Sequence, residues 1–258
     1  MHSPRRPPPP PPADSLRPYR PMAPLRVGAT LGALFVVLLV LVSTSWAPLL
    51  TLDGRLADGL HPVATGHRGW THAMRVLSDW LWDPWTMRAA LAMTALWLLR
   101  RREGVLALWI AVTSLLGTAL QQGLKAAVGR DRPSWPDPVA TARYQAFPSG
   151  HALTATVACG LLVWLLWLHG AGPRWVRGAS AAAVVSVAGV GFTRVYLGVH
   201  WLSDVVGGCL LGGALVAVSA GAYARAAGRS GVAAGAGTGA GAGTGAGTGK
   251  RPRKDPRK

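Results

Sequence analysis

LGALFVVLLVLV, residues 31–42, and VLALWIAVTSLL, residues 105–116, decide the fold. Neither run carries a charge, and each is apolar around the whole helix circumference, so neither suits an amphipathic surface helix with one face in water. The surrounding chain agrees. Half of its 258 residues are hydrophobic and only 14% are charged, against about a quarter in soluble domains. These features fit an integral membrane protein and exclude a soluble enzyme, a secreted disulfide scaffold and a nucleic-acid-binding domain.

Working outward, six candidate spans appear at 26–46, 84–100, 104–124, 151–169, 178–196 and 201–222. Most approach the ~20 helical residues that cross a bilayer core of about 30 Å. The expected fold is an all-α, polytopic membrane bundle of six transmembrane helices with both termini cytoplasmic. The span 84–100 is the weakest, because Asp83 and Arg88 lie near its outer end and must snorkel. Ser43 and Ser45 after the first span resemble a small-x-small cleavage site, but the 25-residue leader is too long for a signal peptide's basic region. An uncleaved anchor is expected instead.

The domain organisation follows from composition. Residues 1–25, with the proline run Pro7–Pro12 among arginines, read as a disordered cytoplasmic arm. Residues 26–224 form the membrane domain, with an extracytoplasmic segment at 47–83 and a polar loop at 125–150. Residues 225–258, containing the Gly/Ala/Thr run Gly231–Gly249 and the basic tip KRPRKDPRK, read as a disordered tail.

Charge sets the orientation. With six spans, one side receives 18 of the 27 basic residues and three of the ten acids, Asp14, Glu103 and Asp255. The positive-inside rule makes that side cytoplasmic. The basic tail is expected to meet anionic lipid rather than nucleic acid. The excess of Arg over Lys is that of a GC-rich genome and points to a bacterial inner membrane. Cys159 and Cys209 lie in apolar runs and read as packing residues. His61, His67 and His72 in the outer segment, spaced six and five apart, share no single helical face. They suggest an interfacial loop or amphipathic helix more than a metal site.

Three polar clusters fall on the outer side: Lys125 with Arg132–Pro133, Pro148–Ser149–Gly150–His151, and Thr193–Arg194 with His200 and Asp204. The first two share a loop. The third returns to that face because residues 152–193 suffice for two crossings. Three cations beside hydrocarbon are costly unless an anion meets them, and arginine's planar fork matches phosphate oxygens. Arg130 and Arg143 read as ordinary snorkelling residues, and Asp131 as paired with its neighbours. Ser149 is a good N-cap, and the free N–H groups of a helix start attract phosphate. His200 and Asp204 stand one helical turn apart, so the carboxylate can fix one imidazole nitrogen and leave the other a better nucleophile or base. A structural cap or part of a metal site would also use such a pair, although no third ligand is suitably spaced.

The ordered set KxxxxxxRP, PSGH and RxxxxxHxxxD resembles the signature of the type-2 phosphatidic acid phosphatase family, in the superfamily that includes vanadium haloperoxidases. The likeness covers residues from about 104 to 222, with Thr193 standing where the family usually has Ser. It implies a metal-independent hydrolase without cofactor that acts on a membrane lipid phosphate such as undecaprenyl diphosphate, phosphatidylglycerol phosphate or phosphatidic acid. It implies His200 as the nucleophile that becomes phosphohistidine, Asp204 as its orienting partner, and His151 as the acid and then base. Lys125, Arg132, Ser149, Gly150 and Arg194 would bind the phosphate. Phosphotransfer to another acceptor would use the same intermediate. A non-catalytic anionic-lipid binder or transporter is a third reading, which the histidine–aspartate set disfavours.

Overall fold

The computed structural model describes residues 22–239, with side chains for 23–227. The proline run and the basic tip lie outside the described residues. Eight α-helices follow in order: α1 (Met22–Ser43), α2 (Ala47–Gly66), α3 (Arg68–Val76), α4 (Pro84–Arg100), α5 (Gly104–Val128), α6 (Gly150–Leu168), α7 (Pro173–Tyr196) and α8 (Leu202–Gly239). A π-helical turn, Leu77–Leu81, continues α3, and no strand occurs among the described residues.

Five helices are long and apolar enough to cross a membrane: Ala23–Ser43, Gly104–Val128, Gly150–Leu168, Pro173–Tyr196 and Leu202–Ala227. The protein is therefore a multi-pass membrane protein. The helix matching the expected second span, α4, has 17 residues, about 26 Å at 1.5 Å per residue. It begins sharply because the Asp83 carboxylate accepts from the N–H groups of Trp85 and Thr86 at 2.7 and 3.2 Å, which satisfies two donors of its first turn.

The bundle is organised around α6, which packs against α4, α5, α7 and α8. Nine of its residues are buried, among them Leu153, Val157, Leu161 and Trp164. Small residues let its neighbours approach closely, as is common where lipid gives helices no hydrophobic reason to associate. A Cβ on Gly208 of α8 would lie 2.6 Å from the Ser149 carbonyl oxygen and 3.0 Å from the Leu153 nitrogen. Only glycine lets the start of α8 lie against the start of α6. On the far side α1 lies along α8 and turns Val36, Val37 and Val40 outward, where lipid supplies their apolar surroundings.

The segment 47–83 is largely helical. On α2 the buried residues are Asp53, Ala57, His61 and Ala64, a spacing of three and four that forms one stripe facing the bundle. At the other terminus α8 continues to Gly239, beyond the residue 224 at which composition ends the membrane domain. The extension is rich in alanine, the strongest helix former.

Candidate active site

Five elements converge at the end of the bundle where α5 ends and α6 begins. Lys125 lies in the last turn of α5, which Gly129 terminates at φ 64°, a left-handed cap that suits glycine. The chain then crosses the bundle end as a loop over 129–149. Gly150 and His151 open α6, Arg194 closes α7, and Asp204 stands in the first turn of α8. Lys125, Arg194, His200, Asp204 and Ser149 are buried. Lys125, Arg132, Gly150, His151, Arg194 and His200 line one cavity of about 1100 Å³, together with Arg88, Gln121, Gln122 and Asp83. All three clusters read from the sequence therefore meet. A separate apolar groove of about 760 Å³, lined by Cys159 and Cys209 among α2, α6, α7 and α8, holds no charged side chain. Both cysteines are half-buried and free.

His200 is held at both ring nitrogens. Nδ1 lies 3.3 Å from Oδ2 of Asp204, and Nε2 lies 3.1 Å from Nη1 of Arg132. Arginine can only donate and a carboxylate can only accept. The network thus assigns the proton to Nδ1 and leaves the Nε2 lone pair toward Arg132. Burial, and then Arg132, Arg194 and Lys125, push the His200 pKa well below its ordinary 6.5, so the imidazole is neutral, the form a nucleophile needs.

Arg132 is fixed by backbone. Nε donates to the Tyr144 carbonyl at 2.8 Å and Nη2 to the Arg143 carbonyl at 3.0 Å, while Nη1 also donates to the Val199 carbonyl. Lys125 donates to the Gln145 carbonyl. Arg194 Nη1 donates to Ser78 Oγ at 2.8 Å and lies 3.7 Å from Asp79, both in the π-helical turn, which the sequence reading did not connect to the site. Ser149 sits at the N-cap of α6 but makes no capping hydrogen bond, contrary to the expectation for a serine there. Its N–H instead donates to the Asp204 carbonyl at 2.9 Å. Ser149 Oγ, Arg194 Nε and Gln121 Oε1 are buried with no hydrogen-bond partner among the described residues. Buried polar atoms are rarely left so, and the first two are donors suited to an anion.

Arg130, read from sequence as a snorkelling residue, is instead nearly buried. Nη1 donates to Asp204 Oδ1 at 2.7 Å and to Ser203 Oγ at 2.6 Å, and Nη2 donates to Asp53 Oδ2 at 2.8 Å. Asp53, on α2, also accepts from the Ser203 N–H at 3.0 Å and from the Ser203 hydroxyl. Asp131, expected to pair with its neighbours, accepts at its carbonyl from Trp201 Nε1 at 2.9 Å.

The outer histidines do not converge, and no group of three His, Cys, Asp or Glu able to hold a metal occurs among the described residues. His61 stacks on Trp135 at 4.0 Å between centroids and meets Asp137 at 2.9 Å, a bond that holds the Asp137 carboxyl below its usual range. Trp135 in turn donates to the Gly198 carbonyl at 3.1 Å. The loop is thereby tied to α2 on one side and to the residues before His200 on the other. His67 Nδ1 lies 3.0 Å from its own helix's Val63 carbonyl, and His72 is exposed.

The profile of the PAP2 superfamily matches residues 105–226, the stretch that supplies Lys125, Arg132, Ser149, His151, Arg194, His200 and Asp204. This stretch is similar to the PAP2 superfamily. The chain is 41% identical over 70 residues to an undecaprenyl-diphosphatase of Sulfolobus acidocaldarius, covering 26% of this chain and 28% of that protein. It is 42% identical over 74 residues to phosphatidylglycerophosphatase B of Escherichia coli K12, covering 29% and 27%. The matches thus span little more than a quarter of each curated relative. The fold reaches further. The crystal structure of a transmembrane PAP2-type phosphatidylglycerolphosphate phosphatase from Bacillus subtilis superposes with a TM-score of 0.64 at 22% identity, covering 77% of this chain and 96% of that one. The likeness in fold thus extends beyond residues 105–226.

Proposed function

We propose that the protein is a metal-independent lipid phosphatase that hydrolyses a phosphomonoester or diphosphate of a membrane lipid, such as undecaprenyl diphosphate, phosphatidylglycerol phosphate or phosphatidic acid. The observation that carries this reading is a buried His200 whose Nε2 meets Arg132 in a cavity that Lys125 and Arg194 also line, with buried, unpartnered donor atoms on Ser149 and Arg194. The names of the PAP2 relatives support the substrate class.

In this reading Arg132, Lys125, Arg194, Ser149 and the Gly150 N–H hold the non-bridging oxygens of the phosphoryl group. His200 Nε2 attacks phosphorus in line with the lipid oxygen, the P–O bond breaks, and His151 gives that oxygen its proton. Asp204 stabilises the charge that His200 acquires. His151 then takes a proton from water, whose oxygen attacks phosphorus and breaks the P–N bond, releasing phosphate and restoring His200. Phosphoryl transfer demands positioning and charge stabilisation above all, and three cations at a helix start supply both.

α4 is the sixth span, short but packed against both α5 and α6, and both termini are cytoplasmic. Arg100–Arg101–Arg102 then lies at the inner ends of α4 and α5, opposite the cavity, as does the α6–α7 connection followed by Arg174 and Arg177. The site would open to the outer face of a bacterial inner membrane, where a lipid headgroup enters while its tail stays in the bilayer. Residues 26–224 form the catalytic unit, with 1–25 and 225–258 as appendages.

The test is phosphate release by the full chain in detergent with excess EDTA, across lipid mono- and diphosphates, beside His200→Ala. Release that persists in EDTA and vanishes in the variant is expected. Release that EDTA abolishes, or that the variant retains, contradicts the proposal.

A further inference from the structure

Behind Asp204 lies a charged chain that the phosphoryl-transfer steps do not use. Asp204 spends its two oxygens differently: Oδ2 meets His200 Nδ1 and the Trp201 N–H at 3.3 and 2.9 Å, whereas Oδ1 receives Arg130 at 2.7 Å. The same guanidinium reaches Asp53 at 2.8 Å, and Asp53 is only 2% exposed. One cation is thus shared between two buried carboxylates that come from different helices, α2 and α8.

We propose that Asp53 is a positioning residue for the nucleophile, acting through Arg130 and Asp204. The reasoning is charge balance. If Arg130 faced Asp204 alone, the two would form a neutral pair, and little negative charge would be left for His200. With Asp53 on its other side, Arg130 is already compensated, and the Asp53–Arg130–Asp204 set carries one net negative charge. That charge is delivered at Oδ2, the oxygen facing the imidazole, where it supports the cationic ring formed on attack. It is needed there because Lys125, Arg132 and Arg194 all oppose a positive His200. Geometry adds to charge. Arginine's planar fork spans both carboxylates at once, and Asp53 also holds the Ser203 N–H and hydroxyl, the residue immediately before Asp204. An outer helix that touches no substrate thereby fixes both the charge and the direction of the carboxylate behind the nucleophile.

This inference rests on the phosphatase reading, and a double-substitution cycle separates the two. Steady-state phosphate release by the full chain in detergent is measured for wild type, Asp53→Asn, Asp204→Asn and the pair, with His200→Ala as reference. Asp53→Asn keeps shape but removes charge. We expect kcat to fall by about 10–100-fold, the range found for partners that orient metal-bound histidines, with KM nearly unchanged, because the effect belongs to the transition state. In the Asp204→Asn background the same change should cost almost nothing. An equal loss in both backgrounds marks a merely structural residue and overturns the proposal, as does an effect on KM alone or no effect on kcat. If Asp53→Asn is not monodisperse in detergent, Arg130→Lys, a cation that cannot bridge both carboxylates, is put through the same cycle with the same expected collapse. Release by wild type that His200→Ala abolishes upholds the parent reading whatever Asp53 does. No release by wild type from any lipid phosphate overturns both.

Discussion

Nε2 of His200 lies 3.1 Å from Nη1 of Arg132. The contact pairs the nitrogen that would attack phosphorus with a guanidinium whose other bonds go to the carbonyls of Tyr144, Arg143, Gln145 and Val199. Arg132 is therefore pre-set by backbone, and its position does not depend on substrate. Arg132→Lys keeps the charge but forfeits that framework. Losing one preorganised donor of developing charge typically costs about 10²–10³ in kcat, so steady-state kinetics should show a loss of that order. Near wild-type kcat would contradict the assignment.

The pH dependence of stability has a defined sign. His200 is neutral in the folded protein, with a pKa held well below 6.5 by burial and by the facing cations. The unfolded chain takes up a proton near pH 6.5 that the folded protein refuses. The contribution is thus fully present above that pH and is lost as pH falls toward the folded value, by up to about 1.4 kcal/mol per pH unit. Thermal unfolding in detergent between pH 7 and pH 5 should show a smaller loss of Tm for His200→Asn than for wild type. Equal losses would mean that His200 is not held neutral by the fold.

The α6–α8 crossing tolerates no side chain at Gly208, because the atoms facing its Cβ position are backbone of Ser149 and Leu153. Gly208→Ala should lower stability by about 1–3 kcal/mol, the usual cost of overpacking. It should also lower phosphate release, since the displaced atoms belong to the start of α6. A thermal shift and an activity assay on the same preparation check this, and an unchanged Tm would refute the close approach.

Sidedness can be read with reporters fused after residue 258 and inserted in the α2–α3 connection at Gly66–His67. The six-span arrangement predicts a cytoplasmic signal from the first and an extracytoplasmic signal from the second. Signals from the same side would eliminate α4 as a span.

The candidate site is legible in the sequence because its groups are spaced along continuous elements. Lys125 and Arg132 flank one helix end, Ser149 to His151 open the next, and Arg194, His200 and Asp204 span a single tight connection. Once the spans are counted, these groups share a face. The supporting contacts have no such local trace. Arg130 resembles any arginine at a membrane helix end until Asp53, 77 residues earlier, is brought against it. Ser78 meets Arg194 across 116 residues. Ser149 illustrates the opposite error: its residue type and position suit an N-cap, yet the hydroxyl makes no such bond. Local propensity describes what a serine does at an isolated helix start, and here the start is buried against α8.

The central claim is that His200 carries the phosphoryl group. The most direct test is a rapid-quench reaction with lipid labelled in its transferred phosphate, quenched in base, where phosphohistidine survives, and followed by peptide mapping. The account predicts a transient acid-labile label on His200 in wild type, and loss of that label in His200→Ala. Label on another residue, or turnover by wild type with no label, would contradict it.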